Sequence, residues 1–286
     1  MSGPSSPRAS DAPRAGASPA LPPDFAALDA NLVESLREGA RWQRSARLVE
    51  EGGLLLARGS TSFPVGLSNA VMRLDPRLPA SEVVARAREF FAGDGRAFTL
   101  WVRGAQDVDL EVLAVEERMY RVSDLPTPWM VLRRRLPEPP LPEGVTLALV
   151  RDVSDLRDVV QVSQQAWEPV GLPPAETAAL LARPERLLAP HLIWAIARLD
   201  GRPVATAMVL CSHGVAGVYW VGTVPDARRK GLAELVTRAV GNAGFDAGMR
   251  VAALQASAMG HPVYLRMGYE TVATTRWYLA RSARRT

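Results

Sequence analysis

Apolar and polar positions change period several times along the chain, and each change marks an element. Phe25, Leu28, Leu32, Val33 and Leu36 recur at spacings of three and four, which predicts an amphipathic helix over residues 24–42 with Asp24 as N-cap. Two β-rich runs follow, Arg47–Leu56 and Val65–Leu74, the first broken by Glu50–Gly53 so that it reads as a hairpin. Val83, Val84, Ala87, Phe90 and Phe91 give a second helix its apolar face over Pro79–Ala92, with Ser81 as its cap. Phe98–Arg103 alternates as a strand does, Asp107–Val115 reads as a short helix, and Arg118–Val122 and Trp129–Leu136 read as extended.

The pattern is cleaner after residue 144. Val145–Val150 is strand-like. Asp152 or Ser154 caps a helix with Leu156, Val159, Val160 and Ser163 on one face, ending near Trp167. A further helix is expected from Pro173 to about Arg183, then strands over His191–Leu199 and Pro203–Leu210 joined by the turn pair Asp200-Gly201. After Ser212-His213-Gly214 the chain reads GVYWVGTVPDARRKGLAELVTRAV, Gly217 to Val240. A buried strand to Val224 gives way to a turn at Pro225. From Gly231 the period becomes helical, with Leu232, Leu235, Val236, Ala239 and Val240 on one face. Arg250–Ala256 is a last inner strand, Gly260–Met267 a short helix ended by Gly268, and Tyr269–Leu279 a long β-rich finish. The order β-α-α-β-β-β-α-β-α-β predicts a mixed α/β sheet. On this reading Tyr219 and Trp220 alternate faces of their strand, and core packing is the larger part of their role.

Composition divides the chain. Residues 1–23 are rich in Ser, Pro, Ala and Gly and are expected to be a disordered tail. Residues 24–136 make an N-terminal α+β unit, PEPPLPEG at 137–144 a stiff linker or surface crossover, 145–281 a C-terminal unit, and 282–286 a basic tail. Hydrophobic residues are 48% of 286, enough for real cores, and no apolar run reaches membrane-spanning length. With no apolar segment behind the N-terminal arginines, a cytoplasmic location is the expectation. The net charge of +4 sits in arginine clusters without a nucleic-acid module, which leaves no expected nucleic-acid partner. His191, His213 and His261 are scattered, so no metal site is expected, and the single Cys211 reads as a buried strand residue.

Strand, basic glycine-containing turn and helix together expose free backbone N–H groups at a helix N-terminus, which suits an anionic phosphate. Two segments resemble the GNAT acetyltransferase family. Arg228-Arg229-Lys230-Gly231-Leu232-Ala233 is similar to its acyl-CoA signature, with Ala in the last position where Gly is commoner. Ser257 to Tyr269, SAMGHPVYLRMGY, resembles its later segment, a small helix carrying Tyr and ending in Gly-Tyr, with Ser257 where many members have Asn. The resemblance implies a GNAT-like acyl-CoA N-acyltransferase fold for the C-terminal half and acetyl-CoA as co-substrate. It implies that the N–H groups of Arg229, Lys230, Gly231, Leu232 and Ala233 hold the pyrophosphate and that Gly231 permits close approach. Arg228, Arg229 and Lys230 would add charge, and backbone groups of Val221 and Thr223 would pair with the pantetheine arm.

Acetyl transfer to an amine needs a proton removed from the amine and one given to the thiolate. Through the resemblance Tyr264 is the candidate acid, against a packing role for the same ring. The base is less legible: Glu168 ends the first helix of the unit on the expected substrate side, and Glu234 sits where a carboxylate simply complements the helix dipole. Residues 24–136 have a similar run of elements without a basic glycine turn, so the N-terminal unit is either a degenerate copy or an unrelated α+β cap, with no coenzyme site. The expected activity is N-acetylation of a primary amine, foremost of a small molecule; a peptide or protein amine and a non-catalytic acyl-CoA-binding module stay open, as does a homodimer.

Overall fold

The computed structural model describes residues 24–281 except 64, 65, 67 and 94; the expected tails at 1–23 and 282–286 lie outside the described residues, as does part of the run expected from Val65. Helix α1 (Phe25–Arg41) buries Phe25, Leu28, Leu32, Val33 and Leu36 as its spacing predicts. Asp24 does not cap it through its side chain, because its carboxylate is drawn instead to Arg133 at 3.1 Å. The hairpin β1 (Arg47–Glu51) and β2 (Leu54–Arg58) turns at Gly52-Gly53, and β3 is Ala70–Arg73. Helix α2 (Ala80–Ala92) starts after Pro79, whose carbonyl accepts the Glu82 and Val83 N–H groups; Ser81 therefore lies inside the first turn and is not the cap. Strand β4 (Phe98–Val102), helix α3 (Val108–Glu116), the short β5 (Tyr120–Arg121) and β6 (Thr127–Leu132) complete the first half.

In the second half β7 (Val145–Leu149) leads into α4 (Val153–Trp167), where Asp152 accepts the Ser154 and Asp155 N–H groups at 2.8 and 3.0 Å. The helix expected to reach Arg183 is two: α5 (Pro174–Leu180) stops, and α6 (Pro184–Leu187) restarts. Pro184 is the reason, since the residue before a proline is pushed out of the helical region, and Arg183 sits at φ −122°, ψ 88°. Strands β8 (Leu192–Leu199), β9 (Arg202–Ser212) and β10 (Val215–Thr223) form a meander with two-residue turns at Asp200-Gly201 and His213-Gly214, all four residues at positive φ. Helix α7 (Leu232–Asp246), β11 (Val251–Gln255), α8 (His261–Met267) and β12 (Glu270–Ala280) follow.

All twelve strands join one sheet in the order β1-β2-β3-β4-β12-β6-β11-β10-β9-β8-β7, with β5 added beside β12. The two halves repeat a plan. An antiparallel meander, a crossover helix and a parallel fourth strand occur as β1-β2-β3-α2-β4 and again as β8-β9-β10-α7-β11. This repetition is what a degenerate copy predicts. The halves also exchange strands: β6 pairs with β11 on one side and β12 on the other, and β12 runs on to pair with β4. Residues 137–144 are exposed and carry the chain from the middle of the sheet to its β7 edge.

Helix α1 touches β1 and β2 as well as β9 and β10, strands from opposite parts of the order, so the sheet curls around it. One apolar cluster joins Leu28, Leu32 and Leu36 of α1 to Leu55, Met72, Trp101, Trp129, Val215 and Val251 on the concave face. Beside it, Asp107, fully buried, takes Arg73 at 2.9 Å and Arg103 at 3.0 Å, and Arg103 reaches Asp29 of α1 at 2.8 Å. Removing one member of a buried charge set strands the rest. Asp107→Ala is expected to cost about 3–5 kcal/mol in urea unfolding.

Candidate active site

Strand β10 pairs with β11 only from Val215 to Gly217 and then leaves it. Two things turn it away. Between Tyr219 and Gly222 its register on β9 shifts, so that Trp220 and Val221 stand opposite Ala207 alone, and Trp220 takes φ 54°. That is a β-bulge, with a non-glycine residue in the left-handed region at a cost of about 1–2 kcal/mol. The bulge also overturns the expected alternation: Tyr219 and Trp220 both pack on the α4 side of the sheet, since an extra residue resets the period of two. The Trp220 ring lies 6.4 Å from Trp42 and 6.0 Å from Trp167. At Gly222 a Cβ would stand 3.0 Å from the Ala166 Cβ and 3.4 Å from Trp167 Nε1, so the end of α4 presses directly on the strand.

Past the bulge β10 pairs with β9 again, Gly222 opposite Thr206 and Thr223 opposite Ala205. The Val224 N–H donates to the Val204 carbonyl at 3.0 Å, toward β9. Alternation then turns the polar groups of Val221 and Thr223 to the open side. The Thr223 carbonyl accepts Arg228 Nε there, at 3.2 Å.

Arg228 faces inward, Nε on the Thr223 carbonyl at 3.2 Å and Nη2 on the Ala166 carbonyl at 3.1 Å, so its guanidinium ties α4 to β10 and keeps its positive charge beside the turn. Arg229 and Gly231 have φ of 63° and 76° with Lys230 at negative φ between them, an alternation that curls a backbone and converges its N–H groups. Among the described residues the N–H groups of Arg229 to Ala233 donate to no protein acceptor. Arg229, Lys230 and Gly231 are exposed, and a Cβ on Gly231 would meet only open space. These N–H groups are left to solvent or to a ligand. An acyl-CoA pyrophosphate fits this donor set: anionic oxygens against unspent N–H groups at a helix N-terminus.

Of the two carboxylates considered as bases, Glu234 is held by Arg238 at 2.6 Å. Glu168 is exposed, directly after Trp167 at the end of α4, and forms no ion pair among the described residues. Tyr264 is buried against Met267, Tyr269 and the first turns of α7. Burial pushes its hydroxyl up to about 12, partly offset by the neighbouring Thr237 hydroxyl. Ser257 is exposed in the turn before α8, its Oγ accepting the Gly260 N–H at 3.1 Å, which leaves its O–H proton as the group it can offer a ligand. Sequence reasoning missed Thr237, Trp42 and Asn31. Thr237 lies on the helix face already read as apolar, and Trp42 and Asn31 reach β10 from nearly two hundred residues away. Among the described residues no group of three or more His, Cys, Asp or Glu is placed to hold a metal ion, and no helix is long and apolar enough to cross a membrane.

Residues 132–264 match the family model of the acetyltransferase (GNAT) domain. Among solved structures, a GCN5-related N-acetyltransferase from Kribbella flavida is 25% identical, with a TM-score of 0.66 over 88% of this chain and 93% of that one. A tandem GNAT protein from the clavulanic acid biosynthesis pathway (17% identity, TM-score 0.60) covers 88% of each chain. A GCN5-related N-acetyltransferase from Sphaerobacter thermophilus (17%, 0.56) covers 82% of each. These last two show likeness of fold. No curated protein matches the chain.

Gly231→Val tests the turn. A side chain there is strained at φ 76° and projects into the ligand space. The variant should stay folded by circular dichroism, at a cost of about 1–2 kcal/mol, while acetyl-CoA binding by calorimetry weakens tenfold or more.

Proposed function

Residues 132–264 match the GNAT acetyltransferase domain, and on that match we propose that the chain is an acetyl-CoA-dependent N-acetyltransferase acting on a primary amine of a small molecule by direct attack on the thioester. One observation carries the reading. The gap between β10 and β11 leads, along the open side of Val221 and Thr223, to five unspent N–H groups at the start of α7. Acetyl-CoA, when bound, supplies an acetyl group activated as a thioester. The N–H groups of Arg229 to Ala233 would hold its pyrophosphate, with Arg229 and Lys230 adding charge. Backbone groups of Val221 and Thr223 would pair with the pantetheine arm, and one N–H would polarise the reacting carbonyl as an oxyanion-type donor.

Tyr264 is the proposed acid. With its hydroxyl pushed up to about 12 it is protonated at neutral pH and has a proton to offer. Complete transfer to a thiolate near 8.5 would run uphill by roughly 5 kcal/mol. Tyr264 therefore serves as a hydrogen-bond donor to the departing sulfur, and the proton that sulfur finally keeps derives from the amine. Glu168 is the proposed base, since Arg238 neutralises Glu234. An acyl-CoA-binding module without transfer would leave both residues idle; thiol release from acetyl-CoA with a panel of amines and peptides separates the readings.

The N-terminal copy lacks a cradle. The turn before α2 reads Asp75-Pro76-Arg77-Leu78-Pro79, in which both prolines lack an N–H, Asp75 presents a carboxylate and the Leu78 carbonyl is taken by Arg73 at 3.1 Å. A calorimetric titration should therefore give one acetyl-CoA per chain.

Tyr264→Phe should lower kcat about tenfold or more, with acetyl-CoA affinity changed less than twofold; unchanged kcat would remove the assignment. The sign of the pH dependence follows from the raised hydroxyl. Tyr264 loses its proton only near pH 12, so wild-type kcat should rise as the amine deprotonates and show no falling limb up to pH 10.

A further inference from the structure

The strained step of β10 is held from the other half of the chain. Helix α1 grips Trp220 of the bulge and Tyr219 just before it. Asn31, 1% exposed, donates from Nδ2 to the Leu210 carbonyl at 3.0 Å, Ser212 Oγ at 2.8 Å and the Val215 carbonyl at 3.2 Å, while its Oδ1 accepts the Tyr219 hydroxyl at 2.9 Å. Eleven residues on, Trp42 closes the C-terminus of α1 and sets its ring against Trp220. Gly217, the last residue of β10 to pair with β11, makes the contact possible: a Cβ there would lie 2.0 Å from Asn31 Oδ1 and 2.6 Å from Tyr219 Cε2. Burial raises the Tyr219 hydroxyl above its ordinary value, which keeps it a donor.

A buried amide could be glue and nothing more. Its position argues otherwise. Asn31 touches both strands of the β9–β10 hairpin near the point where β10 parts from β11, and its remaining acceptor holds Tyr219, the residue just before the bulge. A left-handed tryptophan persists only where its surroundings over-determine it, and here Asn31 and Trp42 supply that on one side of the step while Trp167 closes the other. The phosphate turn, by contrast, is held by the Ala227 N–H on the Val224 carbonyl at 3.0 Å and by Arg228 on the Ala166 carbonyl of α4, and among the described residues it has no hydrogen bond to α1.

We infer that α1 splints the β10 bulge, and that Asn31 and Tyr219 are positioning residues for the coenzyme arm: they fix how far β10 stands off β11, and so whether the arm fits between them. The inference rests on the acyl-CoA reading of the cleft. It separates two parts of one ligand. Loosening the splint should weaken whatever enters the gap and spare whatever lies on the turn alone.

The test uses the full chain with Tyr219→Phe, Asn31→Ala and the double variant, titrated with acetyl-CoA and separately with adenosine 3′,5′-bisphosphate, which carries phosphates and no arm. Melting temperature is followed in parallel. Tyr219→Phe removes one hydroxyl and should raise the acetyl-CoA Kd about fivefold, the worth of one buried hydrogen bond. Bisphosphate Kd should change less than twofold. The double variant should bind acetyl-CoA no more weakly than Asn31→Ala, because a pair acting together is not additive. Equal weakening of both ligands, or an unchanged acetyl-CoA Kd in Tyr219→Phe, overturns the inference. A wild-type chain that binds no acetyl-CoA overturns the functional reading itself, and does so before any variant is compared. Should Asn31→Ala fail to fold, Tyr219→Phe alone decides.

Discussion

Gly217 has no side chain, and α1 lies in the space that leaves. Much of the molecule depends on that close approach. With a Cβ at 217 the Asn31 amide could not reach the carbonyls of Leu210 and Val215, and α1 could not sit so deep on β9 and β10. The helix would then lose its part in closing the curl of the sheet, because its other contacts are with β1 and β2 at the far end of the strand order. A buried amide is costly unless its bonds are made, and Asn31 makes them with groups that only the correct seating brings together. Apolar contact from Leu28, Leu32 and Leu36 supplies most of the burial; Asn31 supplies the register.

The shared strands have a related consequence. Because β6 separates β11 from β12, the cleft-bearing half has no complete sheet of its own. Its inner strand β11 is flanked by a strand made before the proline-rich segment. The matched family span begins at Leu132, the last residue of β6, ahead of the composition break at 137. The second half therefore completes its sheet with a strand from the first, and α1, also from the first, is seated on β9 and β10.

Most elements were legible in the sequence because their faces are strongly periodic and their turns carry diagnostic residues: Asp200-Gly201, Asp152 before α4, Gly268 after α8. The phosphate turn was legible for the same reason, as a short string of adjacent residues with a physical meaning. What stayed hidden is non-local or breaks a period. No spacing announces that β12 will pass from β6 to β4. Nothing in GVYWVG marks the bulge that puts Tyr219 and Trp220 on one side. Arg228 belongs to a basic run, and its composition says charge; only the carbonyls of Thr223 and Ala166, brought together by α4 and β10, turn it inward. Asp24 and Ser81 looked like caps by residue type, and each lost the role to a neighbour, Asp24 to Arg133 and Ser81 to the geometry of Pro79.

The two copies differ most where their shared plan would place a ligand. Before α7 the backbone turns twice into the left-handed region and leaves five N–H groups unspent. Before α2 prolines delete the donors, Asp75 and Arg77 pair with each other at 2.8 Å, and Arg73 closes on the Leu78 carbonyl. The φ values of Arg229 and Trp220 are strained for non-glycine residues, and a copy with no ligand to hold gains nothing by keeping such strain. Meanwhile α1, at the head of the first half, presses on the bulge of the second. The division of labour follows from the geometry: one half keeps the exposed donors and the strain, and the other provides the packed body against which that strain is held.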